Sequence, residues 1–407
     1  MTASVLRATS TADFLALVPE FVGLQPHDSM VVVPFVGTRS NAAARFDLPR
    51  ERRADQQRLA SVALGLLSRM AGVDGAAIVV YTDETFAEAR GIPQLSLARI
   101  VRERLQRGGF GIVDIVCIAG DGWGSYLDRT LPREGRPLAE LEPGDSLIGL
   151  HVRAGDPVPD ASAVGALPEP DPIRSAIVLR HIEEIEREDA GGFPAAAIDR
   201  VEREVDDNCV VCWTEYLAGH TAEQIPLEGW AYTAVLLTNR PTRDVVLLQL
   251  AFGETIGVRT ALENEDWHER MSATGLSSDD LARTLLEAGE PAPQGADLLM
   301  GRTRTRPDVE RCRRAIVTLG TIAVHTPDDY RAPLLTITAW LCWALGQGTA
   351  CGRLLQRALE ADADYGLARV LAAYTASGAF PEWSFADPNT ATDPTDEELR
   401  QLLDPRP

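Results

Sequence analysis

STADFLALVPEFVGLQPHDSMVVVPFVGTRSNAAARFDLP, residues 10–49, is the stretch that decides the fold. Ser10 with Asp13 three residues on is a capping pattern, and apolar Phe14, Leu15, Leu17, Val18 and Phe21 follow it. Pro19 predicts a kink or an end to that helix. Gly23 suits a C-terminal cap. Pro26-His27-Asp28-Ser29 is turn chemistry. Met30 to Val36 is a short apolar run rich in β-branched residues, which predicts a buried strand. Gly37-Thr38-Arg39-Ser40 turns the chain, and Ala42 to Leu48 alternates enough to pair back as a second strand.

The same reading extends outward. Residues 52–71 predict an amphipathic helix with Leu59, Val62, Ala63, Leu66, Leu67 and Met70 on one side. Gly75 to Tyr81 is a strand, residues 94–107 a helix, and Gly111 to Ala119 a further buried strand. This alternation predicts an α/β domain over 1–160, with a mixed, partly parallel sheet flanked by helices. Leu147 to Val152 is expected to add a strand, and the proline-rich 155–172 to be a linker or long loop. From about 173 the helical period takes over. Helices are expected over Ile173 to Glu188, 196–218, 227–239, 242–253 and 278–288. Three more are expected at Pro333 to Leu345, Ala350 to Ala361 and Gly366 to Ser377. The result is an all-α region over 173–383 with tetratricopeptide-like helical hairpins, though no fixed repeat period is present. Residues 384–407 read as a mobile acidic tail.

The opening stretch resembles the N-terminal signature of a large actinobacterial family, domain-of-unknown-function family 4192. The matching residues are Thr11-Ala12-Asp13-Phe14-Leu15, Val18-Pro19, Gly23, Pro26, Asp28-Ser29, Val31-Val32-Val33 and Ala44 to Pro49. Further matches are Trp123, Ser125-Tyr126, Pro132, Glu134-Gly135, Arg243-Asp244 and the Ala339-to-Trp383 segment. The resemblance implies no activity, cofactor or catalytic residue. Family members often carry cysteines after the Ser-Tyr pair, where this chain has Leu127, Asp128 and Arg129.

Composition removes several function classes. The 407-residue chain has a net charge of -21, which argues against a general nucleic-acid coat or an anionic-membrane binder. No apolar run is long enough to cross a bilayer, and no basic-then-apolar leader opens the chain, so a cytoplasmic location is expected. All 39 basic residues are arginine, which a GC-rich genome explains. Without lysine there is no side-chain Schiff base, no P-loop and no conventional kinase site.

Five constellations carry candidate chemistry. Gly120-Asp121-Gly122-Trp123-Gly124 follows a strand, where glycines let backbone N–H groups approach a phosphate. Yet no helix pattern follows, so it is no dinucleotide fingerprint, and Ser125 is not in a nucleophile elbow. Open α/β sheets bind ligands at the carboxyl ends of their strands. Tyr81, Asp83, Asp121, Gly122, Trp123, Ser125 and Tyr126 are therefore the expected small-ligand lining. Arg45 and Asp47 share a strand face as an anion clamp or as a plain ion pair. His27-Asp28 reads as a base with its orienting carboxylate, or as a turn cap. Cys209-Val-Val-Cys212 has redox spacing, but its acidic flank raises a thiol pKa and no further ligands accompany it, so no metal site is expected. Arg302, Arg304, Arg306, Arg311, Arg313 and Arg314 are either a phosphate-binding cluster or a solvated helix start.

No recognisable catalytic set emerges. The leading expectation is a non-enzymatic scaffold whose helical half binds another protein. The alternative is an enzyme, or a small-anion or nucleotide binder, using the strand ends with Arg45 as the charge partner.

Overall fold

A computed structural model describes residues 6–49, 52–142, 144, 146–155, 157–160, 163–189, 210–290 and 293–385. The chain divides into two compact units at Val164/Gly165.

In the first unit, helix α1 (Thr11–Val22) starts where the Ser10 hydroxyl accepts the Asp13 N–H. Pro19 does not end it. The helix runs three residues further and closes on Gly23, which takes a left-handed φ of 75° and donates its N–H to the Pro19 carbonyl. The strands are β1 (Ser29–Phe35), β2 (Ala44–Asp47), β3 (Gly75–Tyr81), β4 (Gly111–Ile118) and β5 (Trp123–Ser125), in the order β2-β1-β3-β4-β5. Only β3 and β4 are parallel; β1 pairs antiparallel with both β2 and β3, and β4 antiparallel with β5. Helices α2 (Arg53–Arg69), α3 (Phe86–Ala89) and α4 (Leu95–Arg107) connect them.

Period-two side chains divide the sheet's two faces. Met30, Val32, Ile78, Val80 and Ile115 pack against Ala60, Ala63 and Leu67 of α2 and Leu97, Val101 and Leu105 of α4. Val31, Val33, Ala77, Val79 and Val116 pack against Leu15 and Val18 of α1. Each fully buried side chain of this size contributes about 1.5–3 kcal/mol, so a one-residue slip of β1 would reverse both faces at large cost.

Two expectations fail here. Leu147 to Val152 is not a strand but lies in helix α5 (Leu147–Ala154). Ser146 caps it by accepting the Gly149 N–H, and also donates to Asp13. Ile148 is buried while Leu147 and Leu150 are exposed, which suits one helical anchor rather than an apolar strand. Conversely, residues 123–125, in the glycine segment after β4 where no strand was expected, pair back on β4 as an edge strand.

The second unit is helical: α6 (Pro172–Asp189), α7 (Val210–Gly219), α8 (Leu227–Leu236), α9 (Arg240–Phe252), α10 (Glu254–Thr274), α11 (Ser278–Glu287), α12 (Gln294–Leu299), α13 (Val309–His325), α14 (Asp328–Ala344), α15 (Gly348–Ala361) and α16 (Gly366–Ala376). Trp340, Trp343 and Trp383 form a ring cluster with Phe252, and each indole N–H reaches a carbonyl, of Leu299, Ala379 and Ala344 respectively. Buried Arg243 joins Asp244 to the Tyr365 hydroxyl, tying α9 to the start of α16. Expected helix over 196–209 and the tail beyond 385 lie outside the described residues. Among the described residues, no helix is long and apolar enough to cross a membrane.

Candidate small-ligand site at the sheet rim

Sheet register brings five residues into one row across all five strands. Ser29 lies opposite both Asp47 and Tyr81, Tyr81 lies beside Ile118, and Ile118 lies opposite Trp123. Cross-strand partners share a face. Tyr81, Ile118 and Trp123 pack with Val31, Val79 and Val116, so the row occupies the α1 side. Arg45 pairs with Val31 and joins that side one pleat further in. The row sits where β3 and β4 both end, the rim at which open α/β sheets bind ligands.

Loops knit this rim together. The His27 Nε2 lies 2.9 Å from an Asp83 carboxylate oxygen, and the Asp83 N–H donates to the Asp28 side chain at 3.3 Å. Asp28 takes a left-handed φ of 38°, a conformation Asp tolerates better than most residues. Its backbone carbonyl accepts the Leu48 N–H. Arg45 Nη2 donates to the His27 carbonyl and, at 2.7 Å, to Asp47. The arginine side chain is 13% exposed and that of Asp47 83%, so the guanidinium is fixed and the carboxylate lies in water. Ligating atoms of His27, Asp28 and Asp83 lie within 4.8 Å of one another, a spacing open to a divalent cation. All three are exposed.

The Gly120–Tyr126 segment behaves differently. Asp121 accepts the Phe86 N–H at 2.8 Å and the Ala87 N–H at 3.4 Å, capping the short α3. A Cβ on Gly122 would meet the Arg136 carbonyl at 3.0 Å, so the glycine admits a neighbouring chain. Trp123 exchanges two backbone hydrogen bonds with Arg136, whose guanidinium lies 5.8 Å from the indole centroid and pairs with Asp128. Hydrogen bonds from Thr130, then from Arg136, hold the Asp128 carboxyl down at about 2. The Ser125 hydroxyl donates to Asp114 at 2.5 Å. Tyr126 donates to the Pro93 carbonyl on the opposite, α2–α4 side, where burial holds its phenol well above the usual range. The structure thus gathers Arg45, Asp47, Tyr81 and Trp123 on one face beside Asp83, and commits Asp121, Ser125 and Tyr126 to internal contacts.

Sequence reading missed Ser29. Its hydroxyl is fully buried without a hydrogen-bond partner, as are the Tyr81 hydroxyl and the Trp123 Nε1. The only sequence signal is a polar residue opening an apolar run.

The remaining candidates are the cysteines and the arginine run. Cys209 lies outside the described residues. Cys117, Cys312, Cys342 and Cys351 are buried, and burial pushes each thiol up to about 12, away from nucleophilic use. Within the arginine run, Arg302 lies 3.7 Å from Asp297, Arg311 binds Glu215, Arg313 binds Glu310, and Arg314 donates to the Ala218 carbonyl.

A family model described as Domain of unknown function (DUF4192) matches residues 12–262 and 305–382. No curated protein and no solved structure matches.

Proposed function

The chain belongs to domain-of-unknown-function family 4192, and, since that membership brings no activity with it, we propose from the geometry that the protein binds a small molecule at the α1 side of the sheet rim. Arg45, Asp47, Tyr81, Asp83 and Trp123 line the site. One observation carries this reading. Val79 and Val116 are buried, yet Tyr81 and Ile118, two residues on along the same internal strands, keep part of their surface exposed, as does Trp123. Internal strands are normally covered on both faces; here the last pleat is left open as an aromatic floor with charged loops at its edge. Binding is favoured over catalysis because the Ser125 hydroxyl and the buried thiols are held in inert states.

A ligand-observed screen of nucleotides and small organic acids, with and without magnesium, tests this on wild type and on Ile118→Trp, which fills the floor. Compounds that bind wild type and lose binding in the variant support the reading. Binding that Ile118→Trp leaves unchanged contradicts it.

A second reading, protein binding through the helical half, is favoured by α6. Its Ile173 is 72% and Leu179 43% exposed, and Pro172, Ile173, Ala176, Ile177 and Arg180 line an open hollow of about 380 Å³. Ile173→Glu should weaken any partner association while leaving rim binding intact.

A further inference from the structure

We propose that the row at the rim is a donor set for an oxyanion: the Ser29 hydroxyl, the Tyr81 hydroxyl and the Trp123 Nε1–H, with Arg45 as the charge partner, receive the carboxylate or phosphate oxygens of a small ligand. This rests on the rim being a ligand site and names the chemistry of what it takes.

The argument begins from cost. A buried polar group left unpaired forfeits its hydration without replacing it, and folded proteins leave few such groups. Here three fall in a single cross-strand row, on β1, β3 and β5, all on the α1 side. Alanine at Ser29 and phenylalanine at Tyr81 and Trp123 would fill similar apolar space without that cost. What the three side chains share is a hydrogen to donate. Trp offers only a donor, and Ser and Tyr donate readily. Burial raises the Tyr81 phenol far above its ordinary value, which keeps it protonated and donating.

Charge selects the acceptor. Arg45 lies on the same face, one pleat in from Ser29, with its guanidinium largely covered. Its carboxylate partner Asp47 is on the solvent side and can turn outward, whereas the guanidinium is anchored to the His27 carbonyl. An incoming oxyanion can take the place of Asp47 on Arg45 and meet the neighbouring hydroxyls. At about 4.8 Å between strands, Ser29 and Tyr81 are one spacing apart and Trp123 two further, so the anionic group belongs at the Ser29–Tyr81 end. Trp123 then serves a more distant acceptor of the same ligand. Carboxylates at Asp28, Asp47 and Asp83 work against the anion, but all three are exposed and are screened by salt more than the covered Arg45 guanidinium is.

The experiment is a titration followed by the indole 15N–1H signal of Trp123, assigned by its loss in Trp123→Phe, and by the thermal midpoint. Inorganic phosphate, citrate and adenosine monophosphate are the probes, each taken to tens of millimolar. Phosphate and the nucleotide test a free against an esterified phosphate, and citrate tests a carboxylate. The expected result is saturable binding of at least one probe, weakened about tenfold or more in Tyr81→Phe and in Ser29→Ala, with both variants keeping the wild-type fold by circular dichroism. Loss of binding in Arg45→Gln would place the charge. The proposal is overturned if no probe saturates, or if Tyr81→Phe and Ser29→Ala bind as wild type does. If neutral compounds are lost on Ile118→Trp while no anion binds, the rim stands as a ligand site and the oxyanion fails alone.

Discussion

Ser29 and Tyr81 face each other across the β1–β3 ladder with both hydroxyls buried and unpaired. Two such groups side by side at the end of a sheet are a source of instability that the fold retains. Removing the hydroxyl should therefore help the empty protein. Tyr81→Phe is expected to leave unfolding free energy unchanged or raise it by up to about 1–3 kcal/mol, the cost of an unmade hydrogen bond. Urea denaturation without added ligand measures it; a clear loss of stability would show that the hydroxyl has a partner inside the fold.

Asp13 makes acid stability specific. Bonds from Ser146, then from Thr9, hold its buried carboxyl down at about 2, against an ordinary value of 3.8. A depressed folded-state pKa gives stability that is complete above the unfolded value and lost as pH falls toward the folded one. This contribution should disappear between about pH 4 and pH 2. Asp13→Asn should destabilise the protein at neutral pH by about 1–3 kcal/mol and flatten that acid limb, read from midpoints at a series of pH values.

Asp121 should behave as a helix cap. Its carboxylate accepts two N–H groups at the start of α3. Asp121→Ala is expected to cost about 0.5–2 kcal/mol and leave rim binding intact. Lost binding with unchanged stability would instead place Asp121 in the site.

Thiol reactivity is a third internal check. Cys117, Cys312, Cys342 and Cys351 should resist an aromatic disulfide reagent in the native protein and react once it is denatured. Fast native modification of any of the four would mean that its helix or strand opens readily.

Much of the fold was legible in the sequence because periodicity is a local signal. Residues 30–36 and 75–80 are apolar throughout and rich in Val and Ile, and a strand buried on both faces needs that. Helix α10 was missed because it buries little beyond Ile256, Gly257 and Thr260, so it shows no apolar stripe. Helix α13 entered only as the solvated helix start of the arginine run; the signal for its first residue is Asp308, which caps it by accepting from Glu310 and Arg311. At the rim, sequence alone placed Tyr81, Trp123 and Arg45 near strand ends. It could not show that Tyr126 sits on the opposite face, or that Asp121 is used by α3. Both depend on register, which is set by long-range pairing.

The most direct measurement is a map of amide shifts, in the assigned 15N–1H spectrum, on adding the tightest compound from the rim screen. The account predicts that the largest shifts gather on Ser29, Tyr81, Ile118 and Trp123, and disappear in Ile118→Trp. Shifts gathered on α6 around Ile173 to Arg180, or scattered without a centre, would contradict it.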